Sequence, residues 1–218
     1  MIRNVPEKLY REFFISHPDD YVFPETPNRN LVEFVRQSKR QRGKASAVDL
    51  GCGEGRSSVF LAREGFDVLA IDLSPTIIRK GIERFGRRRE VNYSVAELTS
   101  LPVRSGNFDL AVDITTLNNQ KSRNRRKYVQ EIRRALKENG CYYASVVSTK
   151  DPSCRNKCPK RHFILRKNGS YQQFYSTRIL KKLFSPYFCV VSMKERKDGV
   201  SAEDEFESIE VIAERKHI

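Results

Sequence analysis

The sequence lacks the long apolar run that a membrane-spanning helix needs. No stretch approaches the roughly 20 consecutive apolar residues that cross a bilayer. The opening residues, MIRNVPEKLYREFF, carry charges and aromatic rings where a secretory signal has an apolar core. Cysteine is also scarce, and the five cysteines are odd in number and scattered, which argues against a disulfide framework. We therefore expect a cytoplasmic protein that does not enter a membrane.

Acidic residues are few relative to basic ones. The chain has 41 Lys and Arg against 27 Asp and Glu, a net charge of +14, and such an excess attracts nucleic acid, phosphorylated metabolites or anionic membranes. Half of the excess falls on residues 121–137, which hold eight basic side chains and one acid. Helices in an α/β domain lie on the faces of the sheet, so we interpret this helix mainly as a solvated face. A binding surface for RNA or another polyanion is the alternative.

Strands and helices alternate from residue 45 to about 150, and the strands are apolar on both faces. This pattern is typical of a parallel sheet covered by helices on both sides. The strands are predicted at ASAVDL, FDVLAID, VNYSVAE, NFDLAVDIT and CYYASVVS, and a long helix before the last of them is predicted to stop at Gly140. Near the C-terminus, YFCVVSMKERK and FESIEVIAER predict an antiparallel hairpin at the sheet edge.

The flanking segments differ from this core in composition. Residues 1–44 are polar and mixed, with two helical patterns and a proline-rich loop, and we interpret them as an N-terminal helical cap on a domain that spans 45–218. Residues from about 151 to 172 are basic and show no helical period. We interpret them as an insertion on the substrate side.

The stretch VDLGCGEGR, residues 48–56, follows the first predicted strand. Ligands bind at that place in parallel α/β sheets, and glycine lets the backbone approach them closely. The spacing is GxGxG, whereas a dinucleotide-binding turn has GxGxxG. Arg56 stands where a phosphate-binding loop of the Walker type needs lysine. An acid, Asp49, lies two residues before the first glycine, Gly51.

Two further acids follow the next two predicted strands. Asp72 ends the second strand, about 20 residues beyond the glycine turn, where a carboxylate can accept both hydroxyls of a ribose. Glu97 follows the third strand in AELTSLP, where an acceptor beside a backbone N–H can read an adenine edge. The glycine turn, Asp72 and Glu97 follow three successive predicted strands, and this order indicates a cofactor that contains a nucleoside.

At these residues the chain resembles the class I S-adenosylmethionine-dependent methyltransferases. VDLGCGEG is similar to their first motif, AELTSLPVRSGNFDLAVD to their segment around the fourth strand, and RRALKENGCYYAS to their approach to the fifth. The resemblance implies a Rossmann-like, doubly wound, seven-stranded sheet, mostly parallel with an antiparallel C-terminal strand. Glu97 departs from the family's usual Asp. The family's cofactor-binding positions correspond here to Asp49, Gly51, Gly53, Asp72, Leu73, Glu97, Leu98 and Asp113.

Within that resemblance, Gly51 and Gly53 are expected to approach the methionine part of S-adenosylmethionine and Asp72 to hold the ribose. Glu97 and Leu98 are expected at the adenine. The loop from Asp113 is expected to hold the methionine ammonium through backbone or side-chain oxygen. Methyl transfer is an in-line displacement, so the protein chiefly positions the reactants, and no catalytic base is assigned.

The acceptor is less clearly indicated. The family's Asn/Asp-Pro-Pro-aromatic turn for base amines is replaced by DITTLNN, which disfavours that chemistry. Candidate substrate contacts are Tyr21, Asn118, His162 and Tyr171. A Cys-x3-Cys-x3-His pattern at Cys154 lacks a fourth ligand, so no metal is expected. We expect a small-molecule methyltransferase; an RNA-directed methyltransferase and a non-catalytic cofactor-binding protein are the alternatives. No sequence feature indicates the oligomeric state.

Overall fold

The computed structural model describes residues 25–38, 45–157, 162–165, 171–198 and 206–216. The helices are α1 Arg29–Ser38, α2 Arg56–Arg63, α3 Pro75–Phe85, α4 Thr116–Asn119, α5 Ser122–Ala135, α6 Pro152–Lys157 and α7 Thr177–Phe184. The strands are β1 Ala45–Leu50, β2 Phe66–Asp72, β3 Val91–Val95, β4 Phe108–Ile114, β5 Leu136–Val147, β6 Phe163–Leu165, β7 Tyr171–Gln173, β8 Phe188–Asp198 and β9 Phe206–Arg215.

Seven strands form one sheet in the order β3-β2-β1-β4-β5-β9-β8, and β6 pairs with β7 in a separate hairpin. β3, β2, β1, β4 and β5 are parallel, whereas β9 is antiparallel to both of its neighbours. The predicted fold class, with its antiparallel last strand, is confirmed. Because the strand order reverses between β1 and β4, their carboxyl ends open a crevice, which is the usual ligand site of such sheets.

Two apolar clusters cover the two faces of the sheet. One includes α1, α2 and α3, with Leu31 of α1 completely buried. The other includes α5 and α7, with Tyr128 and Phe184 completely buried. The amide of Asn28 caps α1, since its oxygen accepts the Leu31 N–H at 2.9 Å. The described part of the N-terminal segment therefore shares the core of the main domain.

The long basic helix is shorter than the sequence predicts. It ends at Ala135, and Leu136 is already extended and opens β5, where it pairs with Phe108. Gly140 lies inside β5 and is not the helix stop. A side chain at Gly140 would lie 2.9 Å from the Lys137 carbonyl and 3.0 Å from the Phe108 carbonyl, so glycine serves close packing between β4 and β5.

The segment after β5 contains short elements that the sequence pattern does not reveal. α6 has six residues, too few to show a helical period, and it is capped by Asp151, which accepts the Ser153 N–H at 2.8 Å. The β6–β7 hairpin follows. Within the described ranges, no helix combines the length and apolar character needed to span a membrane.

Candidate functional site

The glycine turn joins β1 to α2 at the carboxyl edge of the sheet. Gly51, Gly53 and Gly55 have φ angles of 70°, 57° and 88°, a region that favours glycine. The N–H groups of Gly51 and Cys52 both donate to the Ile71 carbonyl, at 2.8 and 2.9 Å, which fixes the turn to β2. The turn therefore exposes backbone at a fixed position beside the crevice.

Neighbouring side chains approach Gly51 and Gly55 too closely for any other residue. A side chain at Gly51 would overlap Thr116, and one at Gly55 would lie 2.8 Å from the Tyr93 hydroxyl. Gly81 of α3 also packs closely against the turn, because a methyl group there would overlap the Glu54 carbonyl. The turn is thus held between α3, β3 and the segment after β4.

Asp72 stands at the end of β2 and faces the glycine turn. Its two carboxylate oxygens accept the Gly53 N–H at 3.0 Å and the Ser74 N–H at 2.9 Å. Burial raises the pKa of Asp72, and the backbone N–H groups that bind the carboxylate oppose the rise. Each oxygen keeps a further lone pair, so the carboxylate can accept hydroxyl donors while it orders the turn.

Asp49 lies directly beneath the turn and is nearly completely buried. Its carboxylate accepts the Ser58 hydroxyl of α2 at 2.6 Å. Burial raises the pKa of Asp49 to about 6, with Ser58 and Arg56 opposing the rise and Asp72 and Asp113 adding to it. The crevice therefore has a floor of closely spaced acids within a protein of strongly positive charge, an arrangement that suits a cationic ligand.

Asp113, at the end of β4, uses its whole carboxylate inside the protein. It accepts the Thr116 N–H at 2.8 Å, the Leu117 N–H at 3.2 Å, and the hydroxyls of Tyr128 and Tyr142 at 2.8 and 2.9 Å. Burial raises its pKa to about 6. The sequence leaves open whether a side-chain or a backbone oxygen at this position holds the methionine ammonium. The Asp113 side chain already accepts hydrogen bonds from four groups inside the protein.

The remaining predicted cofactor residues lie at the same edge. Glu97 is exposed just beyond β3, and its carbonyl accepts the Ser100 N–H at 3.2 Å, which closes a turn. Leu98 is half-buried against the apolar cluster of α5 and α7, and Leu73 is half-buried beside Asp72. The structure therefore brings the predicted glycines, acids and leucines to four neighbouring strand ends, those of β3, β2, β1 and β4.

Glu54, inside the turn, is a residue that the sequence pattern does not single out. It is buried, and its carboxylate pairs with Arg84 of α3 at 2.6 Å. Together with the contact between Gly81 and the Glu54 carbonyl, this pair joins α3 to the turn. In the sequence, only the i, i+3 spacing of Gly81 and Arg84, which places both on one face of a helix, indicates that α3 contacts the turn.

Three predicted substrate residues meet around one residue that the sequence reasoning missed, Gln173 of β7. The Asn118 amide donates to the Gln173 carbonyl, the Gln173 amide donates to the His162 carbonyl at 2.7 Å, and the Tyr171 hydroxyl donates to Gln173 Oε1 at 2.8 Å. Asn118 also accepts the Val147 N–H at 3.1 Å. The buried Asn118 side chain therefore connects α4 to β5 and to the hairpin through hydrogen bonds. Tyr21, the fourth candidate, lies outside the described residues.

Arg125 of α5 reaches into the same cluster. Its guanidinium donates to Tyr171 Oη and Gln173 Oε1, both at 2.7 Å, and to the Gln120 carbonyl at 3.1 Å. It lies 5.6 Å from the Tyr175 ring centre and 5.9 Å from that of Tyr171. The ring of Tyr171 in turn stacks on Phe163 at 5.5 Å. The rings of Phe163, Tyr171 and Tyr175, with the Arg125 guanidinium among them, thus lie beside the carboxyl ends of β4 and β5.

Other basic residues of α5 are also bound within the protein. Arg134 donates to the Leu101 and Val103 carbonyls at 3.0 and 2.7 Å and pairs with Glu131 at 2.8 Å. Arg133 donates to the Lys216 carbonyl at 3.0 Å. Part of the charge on α5 therefore holds loops and the residue after β9 in place, whereas Arg123, Arg126 and Lys127 are exposed. The interpretation of α5 as mainly a solvated face stays a prediction.

Cys154 Sγ lies 3.9 Å from His162 Nδ1, and Cys158 lies outside the described residues. Within the described part of the chain, no three side chains of types that bind metals come together.

Comparisons with known proteins show which sequences and folds the chain is similar to. Residues 47–140 match the family described as "Methyltransferase domain". A 2-heptyl-1-hydroxyquinolin-4(1H)-one methyltransferase of Mycobacteroides abscessus is 26% identical over 122 residues, 55% of this chain and 52% of that protein. The 18S rRNA (guanine(1575)-N(7))-methyltransferase of Saccharomyces cerevisiae is 30% identical over 116 residues, 48% of this chain and 41% of that protein. The chain thus spans about half the length, or less, of these curated relatives.

Solved structures share the fold over nearly the whole chain. The 1,6-didemethyltoxoflavin-N1-methyltransferase of Burkholderia thailandensis, solved with 1,6-didemethyltoxoflavin and S-adenosylhomocysteine, superposes with a TM-score of 0.73 at 17% identity. The match covers 96% of this chain and 88% of that one. A likeness at this identity concerns the fold.

Proposed function

We propose that the chain, whose residues 47–140 match a methyltransferase domain, is a class I S-adenosylmethionine-dependent methyltransferase. In this proposal it transfers a methyl group from S-adenosylmethionine to a small-molecule acceptor by in-line displacement. The observation that carries the proposal is the glycine turn with Asp72 bound to Gly53 N–H at 3.0 Å, flanked by Asp49 below and Glu97 at the next strand end.

The roles follow from the positions of these groups. The backbone of Gly51 and Gly53 would lie beside the methionine part, and the Asp72 carboxylate would accept the ribose hydroxyls. Glu97 and Leu98 would border the adenine. Because the Asp113 carboxylate has four internal donors, the backbone after β4 would meet the ammonium.

Methyl transfer mainly requires that the protein position the methyl donor and the acceptor. When bound, S-adenosylmethionine supplies a methyl group already activated on a sulfonium. The chain's own part is to hold the methyl carbon in line with the nucleophile and to attract the cationic cofactor with the acids Asp49, Asp72 and Glu97. No residue is assigned as a general base, since an acceptor that is already nucleophilic needs none.

The β6–β7 hairpin and α4 form the acceptor side in this proposal. The stacked rings of Phe163 and Tyr171, with Arg125 beside them, suit a planar acceptor with an electron-rich or anionic group. Two relatives support a small acceptor by their names, one acting on a hydroxyquinolinone and one on a didemethyltoxoflavin.

Transfer of a labelled methyl group tests the acceptor class. The purified protein is incubated with methyl-labelled cofactor and either a pool of small metabolites or bulk RNA. We expect label in the small-molecule fraction, lost in Asp72→Ala. Label that appears only in RNA would overturn the small-molecule proposal and leave the methyltransferase assignment standing.

An RNA acceptor is the second candidate, favoured by the net charge of +14 and by the similarity to an rRNA methyltransferase over 116 residues. It predicts RNA binding whose affinity falls steeply with salt, because released counterions drive such binding. Absence of binding to RNA at low ionic strength would remove this candidate.

A further inference from the structure

A second cavity opens beside the loop that enters β3, and one of its lining residues, Tyr93, reaches back to Gly55 of the glycine turn. It has a volume of about 510 Å³ and lies between α3 and the edge strand β3. Its lining consists of Ile78, Ile82, Arg87, Arg88, Arg89, Val91, Asn92 and Tyr93. Because β3 is parallel to β2, the loop that carries the arginines enters β3 at the edge opposite the strand ends that bear Asp72 and Glu97.

The lining of the cavity has an apolar part and a basic part. Ile78 and Val91 are buried apolar side chains and form a hydrophobic floor. The three consecutive arginines form the rim, and no acidic residue of the described chain belongs to the lining. Glu90 follows the arginines in sequence but lies exposed outside it. An apolar floor with a cationic rim fits a ligand with an apolar body and an anionic group.

Two polar atoms of the lining residues are buried without a hydrogen-bond partner in the described structure, Arg88 Nε and Tyr93 Oη. The Tyr93 hydroxyl lies against Gly55 of the glycine turn, and burial raises its pKa to about 12, so it stays neutral. Buried polar groups are nearly always satisfied, so the unpaired Arg88 Nε at the rim indicates that another group completes it. An N–H is a donor, which again suits an acceptor-bearing anion.

Chain geometry explains how three arginines come to this place. α3 ends at Phe85, and Gly86, with φ 72°, turns the chain away from the helix axis. The Val91 N–H donates to the Arg88 carbonyl at 3.2 Å and closes the turn into β3. Arg88 is thereby held half-buried, whereas Arg87 and Arg89 are exposed on either side.

We propose that the α3–β3 cavity is a binding site for a small anionic ligand with an apolar or aromatic body, separate from the cofactor site. Its volume is within the usual range for small-molecule sites. The ligand is held by the arginine rim through charge-assisted hydrogen bonds and by the isoleucine floor through apolar contact.

Fluorescence titration with 8-anilino-1-naphthalenesulfonate tests this site, because the probe joins an aromatic body to one anionic group. The titration is run with saturating S-adenosylhomocysteine, so that the cofactor crevice is filled. We expect one saturable site, weakened about 10-fold or more in Arg88→Gln through loss of a charged hydrogen bond. Ile82→Trp, which fills the cavity, should abolish binding.

Two controls separate this site from general attraction to a basic protein. Arg79→Gln removes the same charge from α3 outside the lining, at a residue paired with Glu83 at 4.0 Å, and should leave the probe's affinity within about 2-fold. N-phenyl-1-naphthylamine, which lacks the sulfonate, should bind about 10-fold more weakly. If Arg88→Gln does not fold, Arg87→Gln with Arg89→Gln takes its place. Equal affinities for Arg88→Gln and Arg79→Gln, equal binding of the two probes, or complete displacement by S-adenosylhomocysteine would overturn the proposal.

Discussion

Asp72 is the residue on which the cofactor site depends most directly, because its carboxylate both orders the glycine turn and faces the crevice. We expect Asp72→Ala to weaken S-adenosylhomocysteine binding by about 1.5–3 kcal/mol, roughly 10- to 150-fold. Calorimetric titration measures this effect, with Glu138→Gln, an exposed acid at the other edge, as control. An unchanged affinity in a folded Asp72→Ala variant would place the ribose elsewhere.

Asp49 gives the site a pH dependence. With a pKa of about 6 its charge is lost as the pH falls below that value, so affinity for the cationic S-adenosylmethionine should decline between pH 7 and pH 5. Asp49→Asn should have a lower affinity at pH 7 and a flatter profile. Binding titrations at several pH values test this, and an identical profile in both proteins would contradict it.

The same shift predicts a stability effect. Because burial raises the pKa of Asp49 from 3.8 to about 6, the folded state binds the proton more tightly, and the free energy of unfolding falls as the pH rises from about 4 to 6. At pH 7 we expect Asp49→Asn to be more stable by about 1–2 kcal/mol, with the Ser58 hydrogen bond kept. Thermal denaturation at pH 4 and pH 7 checks this; a variant less stable at pH 7 would show the sign to be wrong.

At the scale of elements, α3 supports the glycine turn through Gly81 and Arg84. Helix propensity alone predicts that Gly81→Ala stabilises the protein by up to about 1 kcal/mol. The overlap of the new methyl group with the Glu54 carbonyl predicts the opposite, a loss of about 1–3 kcal/mol and weaker cofactor binding. Urea denaturation decides between the two signs.

The β6–β7 hairpin depends on Gln173, which joins His162, Tyr171, Arg125 and α4. We expect Gln173→Leu to speed amide exchange in residues 162–165 and 171–175 by about 10-fold or more, since it removes a hydrogen bond to a charged group. Exchange in β1 and β2 should not change. Gln130→Leu, which removes only an exposed bond to Tyr187, serves as the control. Unaltered exchange in the hairpin would show that Gln173 does not hold it.

Elements with a clear period could be predicted from the sequence, and those set by long-range contacts could not. The succession of strands and helices along the chain follows from alternation, whereas the seven-stranded arrangement came from the family resemblance. The residues Ser74-Pro75 are typical of a helix start, and the Ser74 hydroxyl accepts the Ile77 N–H at 3.3 Å at the start of α3. The end of α5 at Ala135 depends on pairing of Leu136 with Phe108, a contact 28 positions apart. Likewise, Gln173 carries no local motif, because apart from Tyr171 of its own strand these partners come from three other segments.

On the scale of the whole molecule, the net charge of +14 is only partly free to act on other molecules. Arg84, Arg125 and Arg134 are bound by carboxylates, carbonyls or rings within the protein. The three arginines of the α3–β3 loop line a cavity. Sequence composition could predict the total charge but not this division of it. The cytoplasmic location stays a prediction.

The most direct test of the central claim is a crystal structure of the protein with S-adenosylhomocysteine. We expect the homocysteine along residues 51–55, both ribose hydroxyls within hydrogen-bond distance of the Asp72 carboxylate, and the adenine beside Glu97 and Leu98. A ribose bound away from Asp72, or a ligand outside the crevice between β1 and β4, would contradict it.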